Sequence, residues 1–259
     1  MNCREVEILT PPSPVNMGDA WFDVANLEHF WIRRRMEVAL KRHRPTLSAG
    51  SIAEIGCGHG LVQRAIEDGL KKTVTGFDLN LLALEKSFAR TSPVCCYDIH
   101  ERDEKHQKRY DVIICFDVLE HIADEKPFLE SVLFHLADDG VVIVNVPAFE
   151  FLKSAYDDAA GHQRRYTNKR LADVFESCGC ALESYTYWGL PLIPALIARR
   201  LLQGRTLSKE EGVIEKGFKP PGAFVNSLLM AASRMEILPN RLAGTSLMAS
   251  FRRARSHEK

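Results

Sequence analysis

Short apolar runs alternating with amphipathic stretches set the outline of this chain. Ser51-Ile52-Ala53-Glu54-Ile55 reads as a buried strand, and Leu61-Val62-Gln63-Arg64-Ala65-Ile66-Glu67 reads as a helix. Between them Gly56, Gly58 and Gly60 interrupt the pattern at alternating positions, where a missing Cβ permits unusual dihedrals and close approach of a ligand. Thr73-Val74-Thr75-Gly76-Phe77, Val94-Cys95-Cys96-Tyr97, Tyr110 to Phe116 and Val141 to Pro147 read as further strands. A helix is expected from about Asp124 to Leu136. Another starts at Thr167-Asn168, with Leu171, Val174 and Phe175 at helical period. Strand, glycine turn and helix together predict the first ligand-binding corner of a doubly wound α/β domain.

The ends of the chain carry a different pattern. Trp21-Phe22 and Glu28 to Arg35 open an aromatic and arginine-rich helix, and Trp188 to Leu202 is apolar and proline-broken. Residues 204 to 221 are polar and read as a loop, Phe224 to Met235 returns to helical period, and Gly244 to Phe251 reads as a last strand.

The chemistry concentrates after the strands. The spacing Glu54-x-Gly56-x-Gly58-x-Gly60 lacks the third glycine of a dinucleotide fingerprint, whose place is taken by Leu61. Asp78 lies twenty-two positions after Gly56, at the tip of the second strand, where a carboxylate accepts hydrogen bonds from both ribose hydroxyls of a nucleoside. NAD-binding proteins share that acid. The fourth strand runs into Asp117-Val118-Leu119-Glu120-His121-Ile122, and the fifth is followed by Asp157 and by Gly161-His162-Gln163-Arg164-Arg165-Tyr166. An imidazole beside two guanidinium groups offers a base that titrates near neutrality together with planar donors for a carboxylate or phosphate.

On these segments the chain resembles the class I S-adenosylmethionine-dependent methyltransferases, in particular a sub-group met among small-molecule and glycan-modifying enzymes. The resemblance implies a mostly parallel seven-stranded sheet with an antiparallel last strand, an N-terminal helical segment and a helical insertion before that strand. It implies one domain over 1–259, with a helical lid at 1–48, a cofactor core at 49–147, and an acceptor-selecting half at 148–259 carrying the insertion at about 189–236. S-adenosylmethionine is the implied cofactor and S-adenosylhomocysteine the product. The implied cofactor contacts are Glu54, Gly56, Cys57, Gly58, Gly60, Asp78, Leu79, Asp98, Ile99, Phe116, Asp117, Val118 and His121, with Asp98 beside the adenine. For catalysis the expectation falls on His162 as base and His121 as second choice, with Arg164, Arg165 and Tyr166 in the same loop. Either arginine would hold an anionic acceptor. The structural alternative makes His121 a helix-start residue and Arg164, Arg165 and Tyr166 braces of their loop.

Composition narrows the partner. Lys plus Arg and Asp plus Glu are both 34 in 259 residues, so no net charge favours nucleic acid. The short clusters Arg33-Arg34-Arg35 and Arg42-His43-Arg44 read as solvated helix faces. Seven cysteines without regular spacing read as reduced thiols and give no zinc pattern, so no metal is expected. Met1 to Asn16 lacks the apolar stretch of a secretory signal, which predicts a cytoplasmic protein. The segment at 188–202 is too short to span a bilayer; it fits a packed helix, peripheral membrane contact at Arg199 and Arg200, or the wall of a pocket for a lipid-like acceptor. The expected activity is methyl transfer to a small-molecule, glycan or lipid-linked acceptor, at oxygen first. A quinone-type C-methyltransferase, a silent cofactor-binding scaffold and an NAD-type oxidoreductase are the alternatives, and the oligomeric state is open.

Overall fold

The computed structural model describes residues 5–14, 27–203 and 222–254. Its strands are β1 (Glu7–Ile8), β2 (Ile52–Ile55), β3 (Thr75–Asp78), β4 (Val94–Cys96), β5 (Tyr110–Phe116), β6 (Leu136–Pro147), β7 (Cys180–Trp188) and β8 (Ser246–Arg253). They form one sheet in the order β1-β4-β3-β2-β5-β6-β8-β7. All pairings are parallel except those of β8 with β6 and β7, so the mostly parallel sheet with an antiparallel final strand is confirmed. The eighth strand beyond the expected seven is β1, which pairs with Cys95 and Cys96 at the sheet edge. Two exposed residues at an edge leave no hydrophobic periodicity to detect.

The central strands are buried on both faces, which explains their unbroken apolar runs. The helices are α1 (Phe30–Ser48), α2 (Leu61–Leu70), α3 (Leu81–Glu85), α4 (Glu125–His135), α5 (Ala155–Ala159), α6 (Asn168–Glu176), α7 (Ile193–Gln203) and α8 (Ala223–Arg234). One core packs the sheet against α4 and α6 through Leu129, Val132, Leu171 and Phe175; the other packs it against α1 and α2 through Met36, Val38, Val62 and Ile66. Thr167 caps α6 as its sequence predicts, its hydroxyl accepting from the Arg170 amide.

Register places the chemistry. Ile55 pairs with Phe77 and Glu54 with Ile114, so β2, β3 and β5 end together, and Gly56 after β2, Asp78 at the tip of β3 and Asp117 after β5 meet in one crevice. The chain leaves β2 toward β3 and β4 on one side and continues through β5 and β6 on the other. This reversal of strand order is where doubly wound sheets bind ligands.

The helical insertion is tied to the N-terminal helix over this crevice. The Asn226 side chain accepts from the Phe30 amide at 2.9 Å and donates to the Glu28 carbonyl at 3.0 Å. Glu236 receives Arg34 at 3.0 Å and the amides of Gly189 and Leu190. Arg34 and Arg35 are therefore buried ion-pairing groups, which corrects the reading of Arg33-Arg34-Arg35 as a solvated face. His43 is likewise buried within the second cluster. No helix among the described residues is long and apolar enough to cross a membrane. Trp21, Phe22, the side chains of Arg199 and Arg200, and the loop 204–221 lie outside the described residues.

Candidate active site

A cavity of about 870 Å³ opens at the carboxyl ends of β2, β3 and β5, roofed by residues of α1, α7 and α8. That volume lies within the usual range for small-molecule sites, roughly 300–1,000 Å³. Its two ends are built differently.

At one end the backbone does the work. The amides of Gly56 and Cys57 both donate to the Phe77 carbonyl, at 2.8 and 3.1 Å, and pull the turn onto β3. Gly58 donates its amide to Asp78 Oδ2 at 2.7 Å, and Asn80 donates to Asp78 Oδ1 at 2.8 Å. Each carboxylate oxygen keeps a further lone pair for a ligand. Burial pushes the Asp78 carboxyl up, against the amides of Asn80, Gly58 and Leu79, which favour its charged form. Gly56 has φ +74°, and a Cβ there would stand 2.4 Å from Val118 Cγ2. A glycine is therefore required where the backbone passes Val118. Gly56, Cys57, Gly58, Asp78, Leu79, Asp98, Ile99, Phe116, Asp117, Val118 and Glu54 all line the cavity. Gly60 does not; it sits at φ +68° as the N-cap of α2.

Two buried polar atoms face this end without a partner, Oε2 of Glu54 and Nε of Arg35. Burial holds the Glu54 carboxyl well above its usual range despite the attraction of Arg35. Arg35 pairs with Asp117 and lies over the Phe116 ring, 5.4 Å from its centroid. Asp117 itself takes a left-handed φ of +56° at the end of β5, a strained position of the kind found at functional sites. Asn145 fixes its carboxylate at 2.7 Å and is fixed in turn by the Trp188 indole at 2.8 Å.

The other end is built from side chains brought by separate segments. Asp157, fully buried, receives Arg165 in a two-pronged contact, Nε to Oδ1 at 2.8 Å and Nη2 to Oδ2 at 3.0 Å. His162 Nδ1 lies 3.0 Å from the same Oδ1. Burial alone would raise the Asp157 carboxyl, but hydrogen bonds from His162 and Arg165 outweigh it and hold the group well below the usual range. An ionised Asp157 places the proton of neutral His162 on Nδ1 and leaves Nε2 as a lone pair. The His121 ring meets His162 edge-on, centroids 4.8 Å apart. Burial, reinforced by His162, lowers His121 to about 4, against the pull of Asp117 and the Gly161 backbone. Beside them Glu120 is buried and raised by desolvation and then by Asp117, with Arg35 and Arg165 opposing. The short 3-10 turn Leu119–His121 and the loop are clasped together, Gln163 donating its amide to the Glu120 carbonyl at 2.8 Å.

His121, His162 and Arg165 line the cavity; Arg164 and Tyr166 do not. Arg164 donates to the carbonyls of Ile122 and Ala123 and faces Glu125. Tyr166 is fully buried and donates its hydroxyl to Leu119 O or Glu125 Oε1. Both brace the loop, the structural alternative of their sequence reading. Trp31 also lines the cavity, 4.4 Å from Trp188. Sequence reasoning missed the place of Arg35 on the cavity wall. The available signal for Arg35 was its place one helical turn after Trp31, which sets both on one face.

Comparison with known proteins supplies the family. A family model described as a methyltransferase domain matches residues 25–185. Among curated relatives, a ubiquinone biosynthesis O-methyltransferase of Rickettsia canadensis is 25% identical over 128 residues, 47% of this chain and 53% of that protein. One of Schizosaccharomyces pombe, mitochondrial, is 28% identical over 134 residues, 48% of each. A probable S-adenosylmethionine-dependent methyltransferase of Mycolicibacterium smegmatis is 26% identical over 162 residues, 60% of this chain and 61% of that protein. The chain spans about half to three fifths of the length of these curated relatives. Among solved structures, the plantazolicin methyltransferase BpumL, in complex with a pentazolic analogue and S-adenosylhomocysteine, superposes with TM-score 0.55 at 17% identity over 87% of this chain and 86% of that one. Coclaurine N-methyltransferase, bound to N-methylheliamine and S-adenosylhomocysteine, gives 0.52 at 14% over 86% and 72%. These two likenesses establish the fold. With the family model covering more than half of the chain, the protein belongs to the methyltransferase domain family.

Proposed function

We propose that the enzyme methylates an oxygen of a small-molecule, glycan or lipid-like acceptor that enters beneath α7 and α8. The observation that carries this reading is the Asp157-held His162, whose Nε2 lone pair is left free on the cavity wall beside His121. Asp78, Glu54 and Arg35 have the acceptors and donors to hold the ribose and the charged amino-acid end of S-adenosylmethionine, and the glycine turn lets it approach the backbone closely. When bound, that cofactor supplies a methyl group already activated by a sulfonium, so the protein mainly aligns the acceptor and excludes water.

The chain's own part is positional and protolytic. Leu192, Ala195, Leu196 and Leu229 from the insertion, with Trp31, make an apolar roof that suits an acceptor with a hydrophobic body. At the polar wall, His162 takes the proton of an acceptor hydroxyl on Nε2, while Asp157 orients the ring and stabilises the charge it gains. Arg165 keeps Asp157 ionised. The names of the Rickettsia and Schizosaccharomyces relatives, both O-methyltransferases, favour oxygen over carbon as the receiving atom.

The test is methyl transfer from radiolabelled S-adenosylmethionine to a panel of phenols, sugars, fatty acids and amines, with His162→Ala alongside. The reading expects a hydroxyl acceptor, and a variant that loses turnover while binding S-adenosylhomocysteine normally. Equal losses of turnover and cofactor affinity would remove His162 from catalysis. Cofactor binding with no turnover on any acceptor would favour the scaffold alternative.

A further inference from the structure

The polar wall holds three groups whose chemistry exceeds what a single proton transfer requires. Glu120, His121 and His162 each present a metal-ligating atom, and these atoms all lie within 4.8 Å of one another. Two of the groups are incomplete as they stand: Glu120 Oε2 and His121 Nδ1 are buried and have no hydrogen-bond partner. Glu120 is 1% exposed and lines the cavity, so it is a nine-tenths buried polar side chain aimed at the gap between the two imidazoles. A buried carboxyl oxygen left without a partner is costly, and a fold keeps such a group where something else completes it.

We infer that Glu120, His121 and His162 form a site for a divalent first-row transition cation, of the zinc or iron(II) class, at the acceptor end of the cavity. Two imidazoles and one carboxylate with open positions are the donor set of catalytic zinc and non-haem iron(II) sites, whereas magnesium and calcium prefer all-oxygen sets. The surroundings match the second layer of such sites. The Asp157 carboxylate accepts a hydrogen bond from the Nδ1–H of His162, which leaves Nε2 for the gap, as in carboxylate–histidine–metal arrangements. Arg165 anchors Asp157 from behind. Ligand bonds of about 2.0–2.2 Å ask the three side chains to close by roughly an ångström, which rotation of unpartnered groups permits.

The inference rests on the proposed acceptor site and refines its chemistry. In the loaded site His162 is a ligand, and the cation polarises the acceptor oxygen so that its proton leaves to water, doing what the free imidazole does in the metal-free site. The sequence pointed away from a metal because the ligands come from two segments 41 positions apart, His121 and His162, and none is a cysteine.

The test uses the full chain, stripped with a chelator and titrated with cobalt(II) and then zinc, followed by calorimetry and visible absorption. The expected result is one saturable site per chain with nitrogen and oxygen d–d bands. His162→Ala and Glu120→Gln should weaken it at least tenfold, and Asp157→Asn should weaken it about 10- to 100-fold. Unchanged binding of S-adenosylhomocysteine by each variant controls for folding and reports on the cofactor end separately. Absence of saturable binding overturns the inference. So does a thiolate charge-transfer band that survives in the variants, since it would place the ion on the free cysteines. Neither outcome touches the methyltransferase assignment, because no methyl donor enters the experiment.

Discussion

The two ends of one cavity are made by opposite means. The glycine-turn end is backbone: amides of Gly56, Cys57 and Gly58 are fixed on β3 by hydrogen bonds that the register of β2 and β3 arranges. The histidine end is side chains, with Glu120 and His121 from one turn, Asp157 from α5, and His162 and Arg165 from the loop after it, locked by ion pairs. A backbone site tolerates change around it and fails when its own glycines or acid change. A side-chain site depends on every brace behind it.

This contrast can be broken most forcefully at Asp157. Asp157→Ala leaves Arg165 buried without its carboxylate, and breaking a buried pair costs about 3–5 kcal/mol. Thermal unfolding should show that loss, and Arg165→Met in the same background should recover part of it. Next comes His162→Ala, expected to lower turnover about 10²- to 10⁴-fold while affinity for S-adenosylhomocysteine stays within about twofold. Steady-state kinetics beside calorimetry would measure the split.

A smaller effect lies outside the cavity. Glu67 on α2 accepts the amides of Arg90, Thr91 and Ser92 and so fixes the loop that leads into β4. Burial raises its carboxyl, but the hydrogen bonds from Ser92 and these amides win and bring it down to about 2. The folded value lies below the unfolded one, so this stabilisation is complete above about pH 4.5 and is lost as pH falls toward 2. Glu67→Gln should cost roughly 2 kcal/mol at neutral pH and flatten the acid limb of the stability curve, read by denaturant melts across that window. Smallest of all is Arg164→Ala. It removes a brace from the carbonyls of Ile122 and Ala123, worth about 1 kcal/mol, and should leave cofactor affinity untouched.

Legibility followed the same division. The strands, the glycine turn, Asp78 and the antiparallel closing strand were readable because period and glycine spacing are local signals. His162 and His121 both line the cavity, and their surroundings were not legible. Arg35 is 82 positions from Asp117 and His121 is 41 from His162, and no local pattern reports which distant group a side chain will meet. Arg34 and Arg35 were read as solvated because a run of arginines looks the same in sequence whether water or Glu236 and Asp117 receive it. Strand β1 escaped because two exposed residues carry no period.

The most direct test of the division is calorimetric titration of S-adenosylhomocysteine into the wild type, Asp78→Ala and His162→Ala. The account predicts micromolar binding in the wild type, loss of it in Asp78→Ala, and no significant change in His162→Ala. A comparable loss in both variants would contradict it, because the two ends would then be one site held by the same interactions.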